Sequence, residues 1–442
     1  MKELWGRKVL LKEMNEEKSV DEVSLKMPAM KEVDAKTVQC LRCGQLHDKK
    51  NVELYSERYF CPACIQLGRV DTDQQFYHLP EPEPIARNVC FFWEGELTKG
   101  QQVVSDSLVD SVKKAESRMV WAVTGAGKTE MLFKSIHYCL KEGKRVAIAS
   151  PRVDVCLELF PRIQAVFPKE DVVVLHGAMT ETYRYTKLLV CTTHQLLRFF
   201  RAFDLLIIDE VDAFPFVGNP LLQYSVEQAV KENSSLFYLT ATPTKDLMKK
   251  TAQKKLELSI LPARYHRRSL PVPKIKWCYH WQQKIAQGKH PRVLTKLIRR
   301  LVSTNDLLIF CPSISLMECL ETILKADFPE TPLTCVHSQD PERLEKVMNM
   351  RKKNYRILLT STILERGVTF EGVSVIVLGA NHPVFTTAAL IQIAGRVDRR
   401  MVYTAGEVWF LHDGCTQIIK EALQQIKTMN RIGRERGLID EM

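Results

Sequence analysis

Ten short apolar runs set the frame of this 442-residue chain. Five come first: RVAIASP, DVVVLHG, KLLVCTT, FDLLIIDE and SLFYLTAT. Five more come after a Pro- and Arg-rich break, ARYHRRSLPVPKIK at 263–276: DLLIFCPS, PLTCVHSQ, YRILLTST, VSVIVLGA and GEVWFLH. Helical runs lie between them. A strand that is apolar without alternation must be covered on both faces, and a parallel sheet flanked by helices provides that cover. The pattern predicts an α/β chain with two parallel-sheet domains joined by the break. Several runs close on a small polar residue: Ser150, Thr192, Thr240, Ser313, Thr360. Ligands of open α/β sheets bind at such carboxyl ends, so two polar edges facing each other across a cleft are expected.

One junction carries a phosphate signature. Ala122-Val123-Thr124-Gly125-Ala126-Gly127-Lys128-Thr129-Glu130 comes after the apolar Met119-Val120-Trp121 and leads into Met131, Leu132, Phe133, Ile136 and Leu140 at helical spacing. That reads as strand, loop, helix. Two glycines permit positive φ and a close ligand. The N–H groups of such a loop converge on an anion, and the helix adds its positive end. Lys128 would reach the outer phosphates of ATP and Thr129 would hold Mg²⁺. The strict pattern asks for Gly at position 122, where this chain has Ala.

The run FDLLIIDEVD ends in acids about 80 residues later. Asp209 can hold Mg²⁺ through water, and Glu210 can orient or deprotonate the attacking water. The hydroxyls of Thr240 and Thr242 are expected to couple the phosphate site to the second domain. In QIAGRVDRR, Arg396 and Arg399 lie three apart, which puts them on one face of a helix. Their guanidiniums suit the charge of a transferred phosphate. Gln392 precedes them, and Gln101, in LTKGQ, has an amide that matches an adenine edge.

Thirteen cysteines include one ordered group, CLRCGQLHDKKNVELYSERYFCPAC at 40–64. Cys40, Cys43, Cys61 and Cys64 form two CxxC pairs at zinc-ribbon separation. Four thiolates close a tetrahedral Zn²⁺ site with no open position, so its role is structural. A redox CxxC would need a βαβ setting that this segment lacks; an iron–sulfur cluster remains an alternative. Tyr55 and Tyr59-Phe60 would form a hairpin between the pairs, and His47 is expected to be an exposed loop residue. Residues 1–36 read as a loosely packed arm, and LPEPEPIAR as a stiff connector that separates the cysteine module from the first parallel-sheet domain. The net charge of +11 suits a nucleic-acid partner. The amino-terminal stretch is too charged for a secretory signal, and no apolar run reaches the roughly 20 residues that cross a bilayer. A cytoplasmic protein is expected.

Taken in order, these segments resemble the superfamily 2 helicases and translocases over roughly residues 96–410. AVTGAGKT is similar to their motif I, in an Ala-first variant, SPRVDV to motif Ia and TTHQLL to Ib. DEVD resembles motif II, TAT motif III, IFCPS motif IV, STILERGVTF motif V and QIAGRVDR motif VI. With a four-cysteine module ahead of two compact domains, the chain closely resembles the ComFA family, late competence ATPases of transformable bacteria. The resemblance implies two tandem RecA-like domains: arm 1–36, zinc module 37–70, connector 71–95, first domain 96–262, linker 263–276 and second domain 277–442. It also implies an ATP-dependent single-stranded DNA translocase for DNA uptake, with ATP, Mg²⁺ and Zn²⁺ as cofactors. ATP would bridge the two domains, held by Gln101, Thr124 to Thr129, Asp209 and Gln392. DNA phosphates would lie on Ser150, Pro151, Arg152, Thr192, Thr193, Thr360 and Ser361. Implied partners are ComFC and the uptake channel, with peripheral placement at the inner face of the membrane through them and room for a homo-oligomer. The alternative is a replication-restart or repair helicase of the PriA kind.

Overall fold

Both sets of apolar runs become parallel sheets in the computed structural model, which describes residues 2–14, 24–177, 183–398 and 405–440. The chain divides into two compact units, one of residues 1–98, 102–121 and 128–260, the other of residues 99–101, 122–127 and 261–442.

The first unit is built on a seven-stranded sheet. Its strands run in the order Val172–Leu175, Leu188–Thr192, Val146–Ser150, Phe203–Asp209, Val230–Thr240, Arg118–Ala122 and Glu257–Leu261. The first six pair in parallel. Val146–Ser150 and Leu188–Thr192 are buried along their whole length. That is why their sequences do not alternate: helices such as Lys128–Lys141 and Val153–Val166 pack against the sheet. Helix Lys128–Lys141 buries Leu132, Ile136 and Leu140 on one stripe.

An amino-terminal module packs on this sheet. Val9–Leu10 and Leu25–Pro28 flank Gln75–His78 in an antiparallel sheet. Met30–Glu32, Thr37–Cys40 and Leu46–Asp48 form a second. Glu53–Leu54 and Arg58–Tyr59 make the expected hairpin. The described parts of the arm, residues 2–14 and 24–36, are therefore not loosely packed. Arg7 and Lys8 are buried, and the Lys8 ammonium donates to the Leu41 carbonyl at 3.0 Å and to Gln228 Oε1 at 3.2 Å. Burial drives the Lys8 pKa down to about 8.

Nor is the Pro-rich connector a free spacer. Glu81 within it pairs with the fully buried Arg145. Arg145 also donates to the Trp5 and Thr186 carbonyls and to the Tyr183 hydroxyl. A buried guanidinium is tolerated only when its donors are met in this way. Arg145 thus fastens the amino-terminal segment and the connector to the sheet. Local composition marked one segment as a loosely packed arm and the other as a Pro-rich spacer, and could not show the single distant arginine that holds them.

The second unit has a six-stranded parallel sheet in the order Lys274–Trp277, Val408–His412, Val373–Leu378, Asp306–Phe310, Ile357–Thr360 and Leu333–Val336. Helix Arg292–Val302 buries Leu294, Leu297, Ile298 and Leu301 and leaves Arg299 and Arg300 outside. Ser313 does not close a strand as expected. The strand ends at Phe310, and Ser313 caps helix Ile314–Asp327, accepting from the Leu316 N–H. The segment 263–276, read as a break, supplies most of the edge strand Lys274–Trp277. No helix among the described residues is long and apolar enough to cross a membrane.

Candidate nucleotide site and four-cysteine cluster

Three adjacent strands of the first sheet end together. Asp209 closes one, Thr240 the next and Ala122 the third, with Asp209 level with Leu239 and Thr240 level with Trp121. The loop that leaves Ala122 reaches helix Lys128–Lys141. Gly125 and Gly127 adopt φ of +77° and +72°, a region that side chains other than glycine resist. Ala122 is still within its strand and is fully buried. A methyl group is accommodated there, which explains why this chain does without the first glycine.

At the head of the helix the Lys128 ammonium lies 3.2 Å from Asp209 Oδ1. Thr129, beside it, is buried. Asp209 also accepts from the Glu210 N–H at 2.9 Å. Glu210 sits at φ +55°, a conformation that costs a non-glycine residue free energy and is found where a site demands it. An ammonium and a carboxylate thus meet at the head of this helix, with Thr129 and Glu210 next to them in sequence, and these residue types fit a Mg²⁺–triphosphate.

The third acid of DEVD was missed as a site residue. Asp212 is buried and accepts from both threonines of the TAT segment, from Thr240 Oγ1 at 2.8 Å and from Thr242 Oγ1. Thr240 Oγ1 in turn accepts from the Thr242 N–H at 2.9 Å. The two hydroxyls expected to couple the phosphate site to the second domain both donate to Asp212. The signal was present, since a second acid two residues after Glu210 faces two hydroxyls at the end of the next strand. Only the strand order shows that they meet. Replacing Asp212 by Ala leaves both hydroxyls without this acceptor. We expect a loss of about 2–3 kcal/mol, read as a lower urea midpoint with an unchanged slope. A midpoint equal to the parent's would show that the bridge carries no stability.

The remaining candidates take these positions. Gln101 is buried, and its amide donates to the Ala126 carbonyl at 2.8 Å; it braces the glycine loop. Thr124 lies in the same loop. Gln392 is buried in helix Thr387–Ala394. That helix ends before Arg396, and Asp398 has φ +49°. Arg396 is buried and donates from Nε to the Glu365 carbonyl at 3.1 Å; Arg399 lies outside the described residues. The turn is held by Arg264, which donates to the carbonyls of Gly395 at 3.1 Å, Val397 at 2.8 Å and Asp398 at 2.7 Å. Arg264 stood in the arginine-rich break, where nothing distinguished it from its neighbours.

Of the proposed DNA contacts, Ser150, Pro151, Thr192, Thr193 and Thr360 are buried. Ser150 Oγ accepts weakly from the Arg152 N–H at 3.4 Å, and Thr360 Oγ1 donates to the Ser361 carbonyl at 3.1 Å. Arg152 and Ser361 are half-buried.

The four cysteines of the amino-terminal module meet. Cys40, Cys43, Cys61 and Cys64 are fully buried, and their sulfurs all lie within 4.8 Å of one another. Cys40 and Cys64 are 3.8 Å apart, Cys43 and Cys61 3.5 Å. Tetrahedral zinc with bonds of about 2.3 Å spaces its sulfurs by about 3.8 Å, so the cage suits that ion. The cluster shares a core with Val38, Val52, Val70 and Phe76 and with Leu197 of the first sheet's unit. His47 is not on a loop but on strand Leu46–Asp48, half-buried, with Nε2 3.3 Å from Cys61 Sγ.

Residues 94–245 match the family described as type III restriction enzyme, res subunit, and residues 289–401 match the helicase conserved C-terminal domain. Among solved structures, Dbp5 of S. cerevisiae bound to RNA and ADP BeF3 superposes with a TM-score of 0.55 at 17% identity, covering 78% of this chain and 89% of that one. That likeness concerns the fold. The competence protein ComFA of Streptococcus pneumoniae is 40% identical over 96% of this chain and 97% of its own length. ComFA of Bacillus subtilis is 40% identical over 90% of this chain and 87% of its own. With a helicase core behind a four-cysteine cluster, the chain belongs to the ComFA family of competence proteins.

Proposed function

We propose that this chain is an ATP-driven motor that moves along single-stranded DNA during DNA uptake in natural transformation. The observation that carries the reading is the 40% identity to two competence proteins over 90 and 96% of the chain. The pairing of Lys128 with Asp209 at the glycine loop supports the hydrolytic part.

In this proposal the triphosphate lies on the loop from Thr124 to Thr129, and Lys128 leaves Asp209 for the outer phosphates. Thr129 and Asp209 hold Mg²⁺, which neutralises the phosphate charge. Glu210 positions water in line with the bond that breaks. Arg396 and Arg399 bring guanidinium charge to the transferred phosphate, and Gln101 and Gln392 bear on the nucleotide. Zn²⁺ is held by the four cysteines and keeps the amino-terminal module folded. DNA phosphates engage the turns at Ser150 to Arg152, Thr192-Thr193 and Thr360-Ser361. Because the side chains there are largely buried, backbone amides and Arg152 would make the contacts. Partners of the ComFC and uptake-channel kind would bring the protein to the membrane, where it could act as a homo-oligomer.

The test is ATP hydrolysis without nucleic acid and with single-stranded DNA, duplex DNA or RNA. Single-stranded DNA is expected to stimulate turnover most, with little dependence on its sequence. Raising salt from about 50 to 200 mM should weaken the DNA binding by roughly 10-fold or more, since phosphate contacts release counterions. Equal or greater stimulation by forked duplex or by RNA would overturn the assignment.

A further inference from the structure

We infer that His47 is a positioning residue of the four-cysteine site, donating an N–H···S hydrogen bond to Cys61 that protects the bound metal from release and its thiolates from attack. The inference rests on the reading of the cage as a zinc site and adds a fifth residue to it. His47 Nε2 lies 3.3 Å from Cys61 Sγ, within reach of a hydrogen bond to sulfur. Its backbone is fixed, because His47 is level with Val38 in the strand pair Thr37–Cys40 and Leu46–Asp48. Cys61 belongs to a different element, just ahead of the short helix Pro62–Leu67. The imidazole therefore ties the first CxxC to the second through a side chain.

Charge gives the contact its purpose. Four thiolates around a divalent ion carry two net negative charges, here on fully buried cysteines. Two buried cations, Lys8 and Arg42, lie by the first CxxC. Lys8 donates to the Leu41 carbonyl, next in sequence to Cys40, and Arg42 lies inside the first CxxC and pairs with Glu13 at 3.0 Å. Cys61 belongs to the other pair, and His47 gives its sulfur a donor. A hydrogen bond to a metal-bound thiolate draws charge from the sulfur, which makes it a poorer nucleophile. His47 itself is not a ligand in this arrangement, since the four sulfurs alone fill a tetrahedron.

The test compares the full-length parent with His47→Ala and His47→Gln. Each protein is assayed for zinc content, for the rate of zinc release when a thiol-specific disulfide reagent is added with a chromogenic chelator, and for the spectrum of the cobalt-substituted site. His47→Ala should bind one metal ion and release it about 10-fold faster. His47→Gln retains an N–H donor and should stay within about 2-fold of the parent, well short of the roughly 10-fold change expected when an outer-shell partner is removed. Cobalt spectra should report four thiolates in all three. Equal release rates for parent and His47→Ala would overturn the inference. So would His47→Gln behaving like His47→Ala, or a cobalt spectrum that changes its ligand set when His47 is replaced. A parent chain without tightly bound zinc would overturn the metal reading, and this inference with it. A parent with zinc and unaltered release in the variants would sink this inference alone.

Discussion

Replacing Lys128 by Ala should lower ATP hydrolysis by roughly 10²- to 10³-fold or more, the scale at which losing one charge-stabilising group acts on a developing oxyanion. The reason is positional. Lys128 is the first residue of its helix, directly after two glycines in the left-handed region, and its ammonium already faces Asp209 at 3.2 Å. No other cation occupies that loop. The fold should survive, because Asp209 keeps the Glu210 N–H as a donor when Lys128 is removed. The side chains of Lys128 and Asp209 are 19 and 12% exposed. Steady-state turnover with and without single-stranded DNA, beside a thermal melt, separates the two effects. Normal turnover in the variant would remove the phosphate role of this loop. A collapsed melt would instead show that the lysine is needed for the fold.

The second large effect concerns the cysteines. Changing Cys40 and Cys43 together to Ser should release one zinc per chain and unfold the amino-terminal module. Structural zinc supplies about 10–16 kcal/mol in small finger peptides at neutral pH, far more than a module of two- to four-residue strands gains from its own apolar burial. The damage should spread. The cysteine core includes Leu197, and Leu221 packs against it. A Cβ on Gly44 would strike the ring of Tyr224, which shows how closely this turn lies against helix Pro220–Ala229. We therefore expect a lower melting temperature for the whole first unit and a gain in binding of an apolar dye. Metal analysis of the purified variant decides the point, since an unchanged zinc content would place the metal elsewhere.

What the sequence determined by itself was whatever the chain encodes locally. The strand RVAIASP, its counterparts in both sheets and the loop between Ala122 and Lys128 were legible. Continuous burial, a glycine at positive φ and the period of a helix each leave their mark within a few residues. The cysteine cage was legible for the same reason, since each CxxC turn aims two sulfurs at one point. What only the tertiary structure decided was which distant groups meet. Asp212 finds Thr240 and Thr242 because their strands are neighbours in the sheet. Arg264 holds the turn after Ala394 from about 130 residues away. Arg145 reaches Glu81 in a connector that composition alone described as a stiff spacer. His47 crosses from a strand to Cys61. A buried polar side chain is stable only if something meets its hydrogen bonds. That partner is chosen by the packing of elements far apart in the chain, so no window of sequence contains it.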